Sequence, residues 1–168
     1  MYKTIYMEIN IRKATKVDMK AVLELINELA VFEKEPEAVI IDENDLIRDG
    51  FGENPAFHCF VAEANGKIEG MALLYFRYST WKGKTVHLED LVVREKFRGK
   101  GLGSALYTKV IKFAAEQKVK RAEWVVLNWN KEAADFYRRS GADVMEDWNT
   151  VQINEKSMHS YLQNKGIL

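Results

Sequence analysis

Cysteine and proline are nearly missing: Cys59 is the single thiol, and only two prolines occur in 168 residues. One cysteine cannot form an intramolecular disulfide, so the fold must rest on its packed core, and a reducing compartment is the natural expectation. Cys59 itself lies in the apolar run Ala56–Ala62, where a buried, inert thiol is expected rather than a nucleophile. No Pro/Gly-rich or low-complexity stretch marks a linker, so a single domain over residues 1–168 is predicted. A surplus of charge of one sign is lacking too, with 25 Lys+Arg against 25 Asp+Glu. A general nucleic-acid binder needs excess cations to neutralise phosphates, and no nucleic-acid partner is expected. No apolar run approaches the ~20 residues of a membrane span, and the N-terminus shows no apolar stretch behind a basic start. A cytoplasmic protein with no membrane partner is expected. The histidines, His58, His87 and His159, are scattered without paired spacing, so no metal site is expected.

What is present suits a globular protein: 47% hydrophobic and 30% charged residues give a core beneath a charged surface. Ile9 and Ile11 alternate with polar residues as in a first strand. Thr15 can cap a helix carrying Val22, Leu25, Ile26 and Leu29 on one face and ending near Phe32–Lys34. Asp42 opens a second helix closed by Gly50 or Gly52. Strands are predicted over Phe57–Ala64 and Lys67–Tyr78, joined by Asn65-Gly66, the strongest short hairpin signal. A turn at Trp81–Gly83 leads into a strand from Thr85 to Val93. A helix over Leu102–Gln117, a strand over Arg121–Leu127 and a helix over Asn130–Ser140, stopped by Gly141, follow. One or two strands between Val144 and Ile153 and a short final helix complete the reading. The order β-α-α-β-β-β-α-β-α-β implies a mixed α/β fold with helices on both faces of its sheet.

The chemistry concentrates in Leu88–Ser104. An apolar strand runs into a loop with glycines at 99, 101 and 103, which opens a long helix. Glycines let backbone N–H groups approach a ligand, and a helix N-terminus adds unpaired donors and a positive dipole end. Arg98 and Lys100 add cations. A pyrophosphate cradle and a plain glycine-rich turn fit these glycines equally well. Neither the dinucleotide fingerprint nor the nucleotide P-loop is matched, because Ser104 stands where the last glycine of the former belongs. Within the preceding strand, Glu89 and Asp90 are acids among apolar neighbours and need pairing or a function. Adjacent strand residues face opposite ways, so separate roles are expected for the two, with His87 sharing the face of Glu89. Tyr137 lies on the amphipathic helix after Asn130, where a tyrosine unaided reads as core.

Arg98-Gly99-Lys100-Gly101-Leu102-Gly103 directly after an apolar strand resembles the acetyl-CoA pyrophosphate loop of the GNAT acetyltransferases. Asp49–Pro55, His58-Cys59, Val61–Glu63, Leu88–Asp90, Trp129-Asn130 and Phe136–Ala142 resemble the spermidine/spermine acetyltransferases within that superfamily. Tyr78–Lys84 and Phe32–Lys34 look closer to the thialysine acetyltransferase branch, since Ser79 stands where the polyamine branch typically has Asp.

The resemblance implies a GNAT fold, with a twisted, mixed and mostly antiparallel sheet, and acetyl transfer from acetyl-CoA by direct attack of an amine in a ternary complex. It implies cofactor contacts from Leu91, Val92 and Val93, from Arg98, Gly99, Lys100, Gly101, Leu102, Gly103 and Ser104, and from Asn130. Glu89 is implied as proton acceptor and Tyr137 as the acid that protonates the leaving sulfur. Glu33, Glu89 and Asp90 would attract a small cationic amine, thialysine- or lysine-like or a di- or polyamine. Ser79, Thr80, Trp81 and Trp148 would help to hold it, an indole face being a favourable surface for a cation. A homodimer is implied as well. Two other functions would use the same motifs: acetylation of a protein lysine or N-terminus, and non-catalytic acyl-CoA binding.

Overall fold

The structure, a computed structural model, describes residues 8–167. The chain divides into two compact units, one running to Val125 and the other starting at Val126.

The first unit is built on a five-stranded sheet in sequence order, from β1 (Ile9–Lys13), β2 (His58–Ala64), β3 (Lys67–Ser79) and β4 (Gly83–Val93) to β5 (Ala122–Glu123). The first four strands pair antiparallel, and β5 joins β4 in parallel. Asn65 and Gly66 have φ of 53° and 75°, the two positive values that a type I′ hairpin turn requires. Helices α1 (Met19–Phe32) and α2 (Glu43–Phe51) cover one face of the sheet and α3 (Leu102–Glu116) the other.

Periodicity decides each interface. Met19, Val22 and Leu25 recur along one side of α1 and pack with Val61, Met71, Leu73 and Val92. Leu102, Leu106 and Val110 do the same on α3, against Ala62, Ala72, Leu74, Val86 and Leu88. The ends follow local chemistry. Asp42 accepts from the Asp45 N–H at the start of α2. At the end of α1, Lys34 adopts a φ of 68° and the Glu35 N–H returns to the Ala30 carbonyl, a left-handed stop made without glycine. Gly52 follows α2, whereas Gly50 lies inside the helix with its Cα against the Phe57 ring.

In the second unit, α4 (Lys131–Arg139) is capped by the Asn130 side chain, and Gly141 follows it with a φ of 91°. Helix α5 (Glu155–Asn164) begins at Asn154, whose side chain accepts from the Ser157 N–H.

Two expectations need correcting. No strand forms between Val144 and Ile153; Met145, Trp148, Val151 and Ile153 are exposed there, so no buried face rewards an extended pairing. The strand expected over Arg121–Leu127 shrinks to two residues, because β5 pairs only Ala122 with Val86 and Glu123 with His87.

Candidate active site

Strand β4 carries the acidic part of the site, and its geometry departs from simple alternation. Leu73 pairs with Asp90 and Leu74 with Leu88, which leaves Glu89 as the extra residue of a β-bulge. Val86 and Leu88 face α3 before the bulge, and Leu91 and Val93 face it afterwards, so the parity has switched. The expected opposition of the two carboxylates therefore fails. Glu89 and Asp90 both lie on the α1 side, close enough for the charge of Glu89 to act on Asp90.

Burial first, and then the charges of Glu89 and Glu33, push the Asp90 carboxyl from 3.8 up to about 6. Glu33, on the residue that ends α1, is also held above the usual carboxylate range by burial. Among the described residues, no Lys or Arg forms an ion pair with Glu33, Glu89 or Asp90. Near Glu89 stands His87, with Nε2 at 3.6 Å from Oε2. Several other acids of this unit are neutralised: Glu69 by Arg94 and Lys96, Asp18 and Glu63 by Arg12, Glu123 by Arg77 and Arg121.

The loop after β4 carries the cationic part. Beyond Val86 and His87, the β4 edge towards β5 has no strand partner among the described residues, so residues 88–93 are paired on the β3 side alone. A 3-10 turn (Glu95–Phe97) then leads to Arg98, whose Nε donates to the Val93 carbonyl at 3.1 Å and whose guanidinium stacks 5.1 Å from the Phe32 ring. Gly99 and Gly101 have φ of 70° and 91°, and no atom lies within 4 Å of where a Cβ would sit on either. Gly101 caps α3, whose first turn has neither a side-chain cap nor an acidic residue. Unpaired N–H donors, a positive dipole end, Arg98 and Lys100 thus surround open space. That donor set fits a diphosphate, and the one-sided β4 edge fits an extended amide-bearing chain laid beside it.

Sequence reading missed Arg94. It bonds Glu24 and Glu28 on α1 and approaches Glu69 at 3.3 Å, and its own N–H bonds the Glu69 carbonyl, so it fixes the base of the loop. It also missed Tyr75, held above its usual 10 by burial, by the charge of Glu89 and by a hydrogen bond with Glu89. Neither belongs to a recognisable motif; each matters only through the partners that folding brings to it.

The remaining candidates lie elsewhere. Ser79, Thr80 and Trp81 form the tip of the β3–β4 hairpin, six residues or ~20 Å along the strand from Glu89. There Ser79 Oγ accepts from the Trp81 and Lys82 N–H groups, both at 3.2 Å, and Trp81 is 79% exposed. The structure does not join this tip to the three carboxylates. Asn130, Tyr137 and Trp148 belong to the second unit: Asn130 caps α4, Tyr137 is buried and Trp148 is exposed.

The sequence profile of the Acetyltransferase (GNAT) family matches residues 19–142, from the start of α1 to just past α4. The chain belongs to that family. It is an acyltransferase, and N-acetyltransferases stand among its relatives. The thialysine N-epsilon-acetyltransferase of Bos taurus is 40% identical over 159 residues, covering 88% of this chain and 94% of that one. The spermidine/spermine N(1)-acetyltransferase-like protein 1 of Homo sapiens is 34% identical over 158 residues, 88% of this chain and 23% of that one. Among solved structures, an aminoglycoside N-acetyltransferase in complex with CoA superposes with a TM-score of 0.70 at 17% identity, over 90% of this chain and 99% of that one. At that identity the likeness concerns the fold. GNAT acetyltransferases use acetyl-CoA, the kind of ligand that the loop and the open β4 edge suit.

Proposed function

We propose that this acyltransferase moves an acetyl group from acetyl-CoA to a primary amine of a small cationic substrate, thialysine- or lysine-like, with di- and polyamines as close alternatives. One observation carries the substrate class: Glu33, Glu89 and Asp90 share one region of the first unit without a Lys or Arg partner, and burial, with the charges of Glu89 and Glu33 added, raises the Asp90 pKa to about 6. A bound ammonium group is the counter-charge such a region lacks.

When bound, acetyl-CoA supplies the acetyl group as a reactive thioester. Gly99, Gly101 and the first N–H groups of α3, with Arg98, Lys100 and Ser104, hold its diphosphate. The edge of β4 at Leu91–Val93 aligns its extended arm, and Asn130 enters the reading by resemblance. An alkyl ammonium has a pKa of about 10.4, so the amine must shed a proton before its nitrogen can attack. Glu89 accepts that proton, directly or through one water, and Asp90 and Glu33 hold the remaining positive charge. Tyr137 Oη, by resemblance, holds the proton required on the leaving-group side. Ser79, Thr80, Trp81 and Trp148 are assigned to substrate binding on the same basis.

A homodimer is part of the proposal. It is supported by α5, none of whose residues is buried, and by Met158 and Tyr161 exposed along it.

The test is thiol release from acetyl-CoA with thialysine, lysine, putrescine, spermidine and spermine, beside a no-amine control. Release with one of these amines, lost in Tyr137→Phe while acetyl-CoA binding persists, is the expected result. Acetyl-CoA binding without release on any amine would overturn the reading.

A further inference from the structure

Glu89 does not stand alone on its face of the sheet. His87, two residues earlier and opposite Tyr75 in the β3–β4 register, is only 9% exposed. Its ring lies 5.1 Å from the Tyr75 ring, and its Nε2 is 3.6 Å from Glu89 Oε2. Its Nδ1 is buried without a hydrogen-bond partner among the described residues. A buried polar nitrogen with no partner is uncommon and asks for a reason. Tyr75 also bonds Glu89, so the carboxylate stands between a phenol and an imidazole.

We propose that His87 is a positioning residue for Glu89, orienting the carboxylate through Nε2–H while neutral and weakening it as a base when a proton is added at Nδ1. The inference rests on Glu89 as the proton acceptor. Glu89 is the acceptor that faces Nε2, which assigns the ring hydrogen of the neutral form to Nε2 and leaves the Nδ1 lone pair vacant. The separation of 3.6 Å exceeds a hydrogen bond, as catalytic pairs commonly do before substrate is bound. In the reaction, an N–H bond of the ammonium breaks and an O–H bond forms on Glu89, with His87 held neutral throughout. Protonation of Nδ1 takes the ring from zero to +1. That charge lowers the proton affinity of Glu89 and opposes a cationic amine.

The groups that act on the ring are Glu89 on its own strand, Arg77 and Tyr75 on β3 and Glu123 on β5. Burial outweighs the two carboxylates and holds His87 below its usual 6.5. Activity carried by the neutral ring is therefore full at neutral pH and lost as the medium becomes acidic. Asp90 titrates in a neighbouring range, so the variants must separate the two.

The experiment measures kcat and the amine KM from about pH 5 to about pH 9 for the wild type, His87→Gln, His87→Phe and Glu89→Gln, with circular dichroism as a folding check. The Gln side chain still donates a hydrogen bond but does not titrate. His87→Gln should keep kcat within about threefold on the alkaline plateau while its acid limb moves down by at least about half a pH unit. His87→Phe, which keeps the ring without nitrogen, should lower plateau kcat by about tenfold or more with amine KM within about twofold. An unchanged acid limb in His87→Gln would assign that limb to Asp90 and overturn the proposal, and a wild-type plateau in a folded His87→Phe would do the same. If His87→Phe does not fold, the limb of His87→Gln decides. Full turnover in Glu89→Gln would remove the base itself and this inference with it. An inactive Glu89→Gln beside His87 variants that behave as wild type would overturn this inference alone.

Discussion

Removing one charge from the acidic region should make the protein more stable and a poorer enzyme. In the folded chain, burial and the charges of Glu89 and Glu33 bring the Asp90 carboxyl from 3.8 to about 6. The unfolded chain has none of these neighbours, so Asp90 there ionises near the ordinary value. At ~1.36 kcal/mol per pH unit, the gap opposes folding at neutral pH by up to roughly 3 kcal/mol. The direction follows from proton binding. Between about pH 4 and about pH 6 the folded chain keeps a proton that the unfolded chain has released, so this contribution is intact below that window and lost on rising through it. Asp90→Asn keeps the shape and removes the charge. Urea unfolding should find the variant more stable by about 1–3 kcal/mol at about pH 8 and unchanged near pH 4. Saturating amine should then stabilise the wild type more than the variant, because a bound cation offsets the repulsion that only the wild type has. A variant less stable at about pH 8, or one whose gain is the same at both pH values, would refute the reasoning.

Other consequences follow from separate parts of the fold. Arg12 draws the Asp18 carboxyl from 3.8 down to about 2, so this pair stabilises the fold above about pH 4 and the contribution fades as pH falls towards 2. Asp18→Asn should cost ~1–2 kcal/mol in neutral urea melts, with the deficit shrinking in acid. Gly101→Val forces a β-branched residue into a φ of 91° at the cap of α3. It should raise the acetyl-CoA KM by about tenfold or more while the amine KM changes little. Leu106→Ala empties a fully buried site between α3 and the sheet and should cost about 2–5 kcal/mol by denaturant unfolding.

Features that depend on a few neighbouring residues were legible in the sequence. The Asn65-Gly66 turn, the Asp42 and Asn130 caps and the glycine loop before α3 each carry their own local cause, and each forms where the residues indicate. The faces of α1 and α3 were legible because a 3.6-residue period survives in the apolar pattern. Features set by pairing partners were not. Val144 to Ile153 is as apolar as a strand, yet no neighbour pairs with it. The bulge at Glu89 is a mismatch between two strands and leaves no mark on either one. Because alternation was assumed through residue 89, Glu89 and Asp90 were expected on opposite faces. The contact of Glu89 with Tyr75 depends on the β3–β4 register, which neither strand carries alone. Glu33, Glu89 and Asp90, far apart in sequence or split by the bulge, come close enough for the charges of the first two to act on the third.

The bulge also shapes how this protein can change. A second bulge, at Glu69 between β2 and β3, holds an acid too, but Arg94 and Lys96 neutralise that one. Position 89 therefore carries two independent properties, a carboxylate without a Lys or Arg partner among the described residues and a one-residue offset in register. Substitution can erase the first and keep the second. Deletion erases both: Leu88 and Asp90 become neighbours opposite Leu74 and Leu73, and Leu88, Leu91 and Val93 still face α3 in plain alternation. A lineage can thus alter position 89 by a point change or by losing the residue without dismantling the sheet: the first keeps the offset between β3 and β4, and the second returns the two strands to regular alternation.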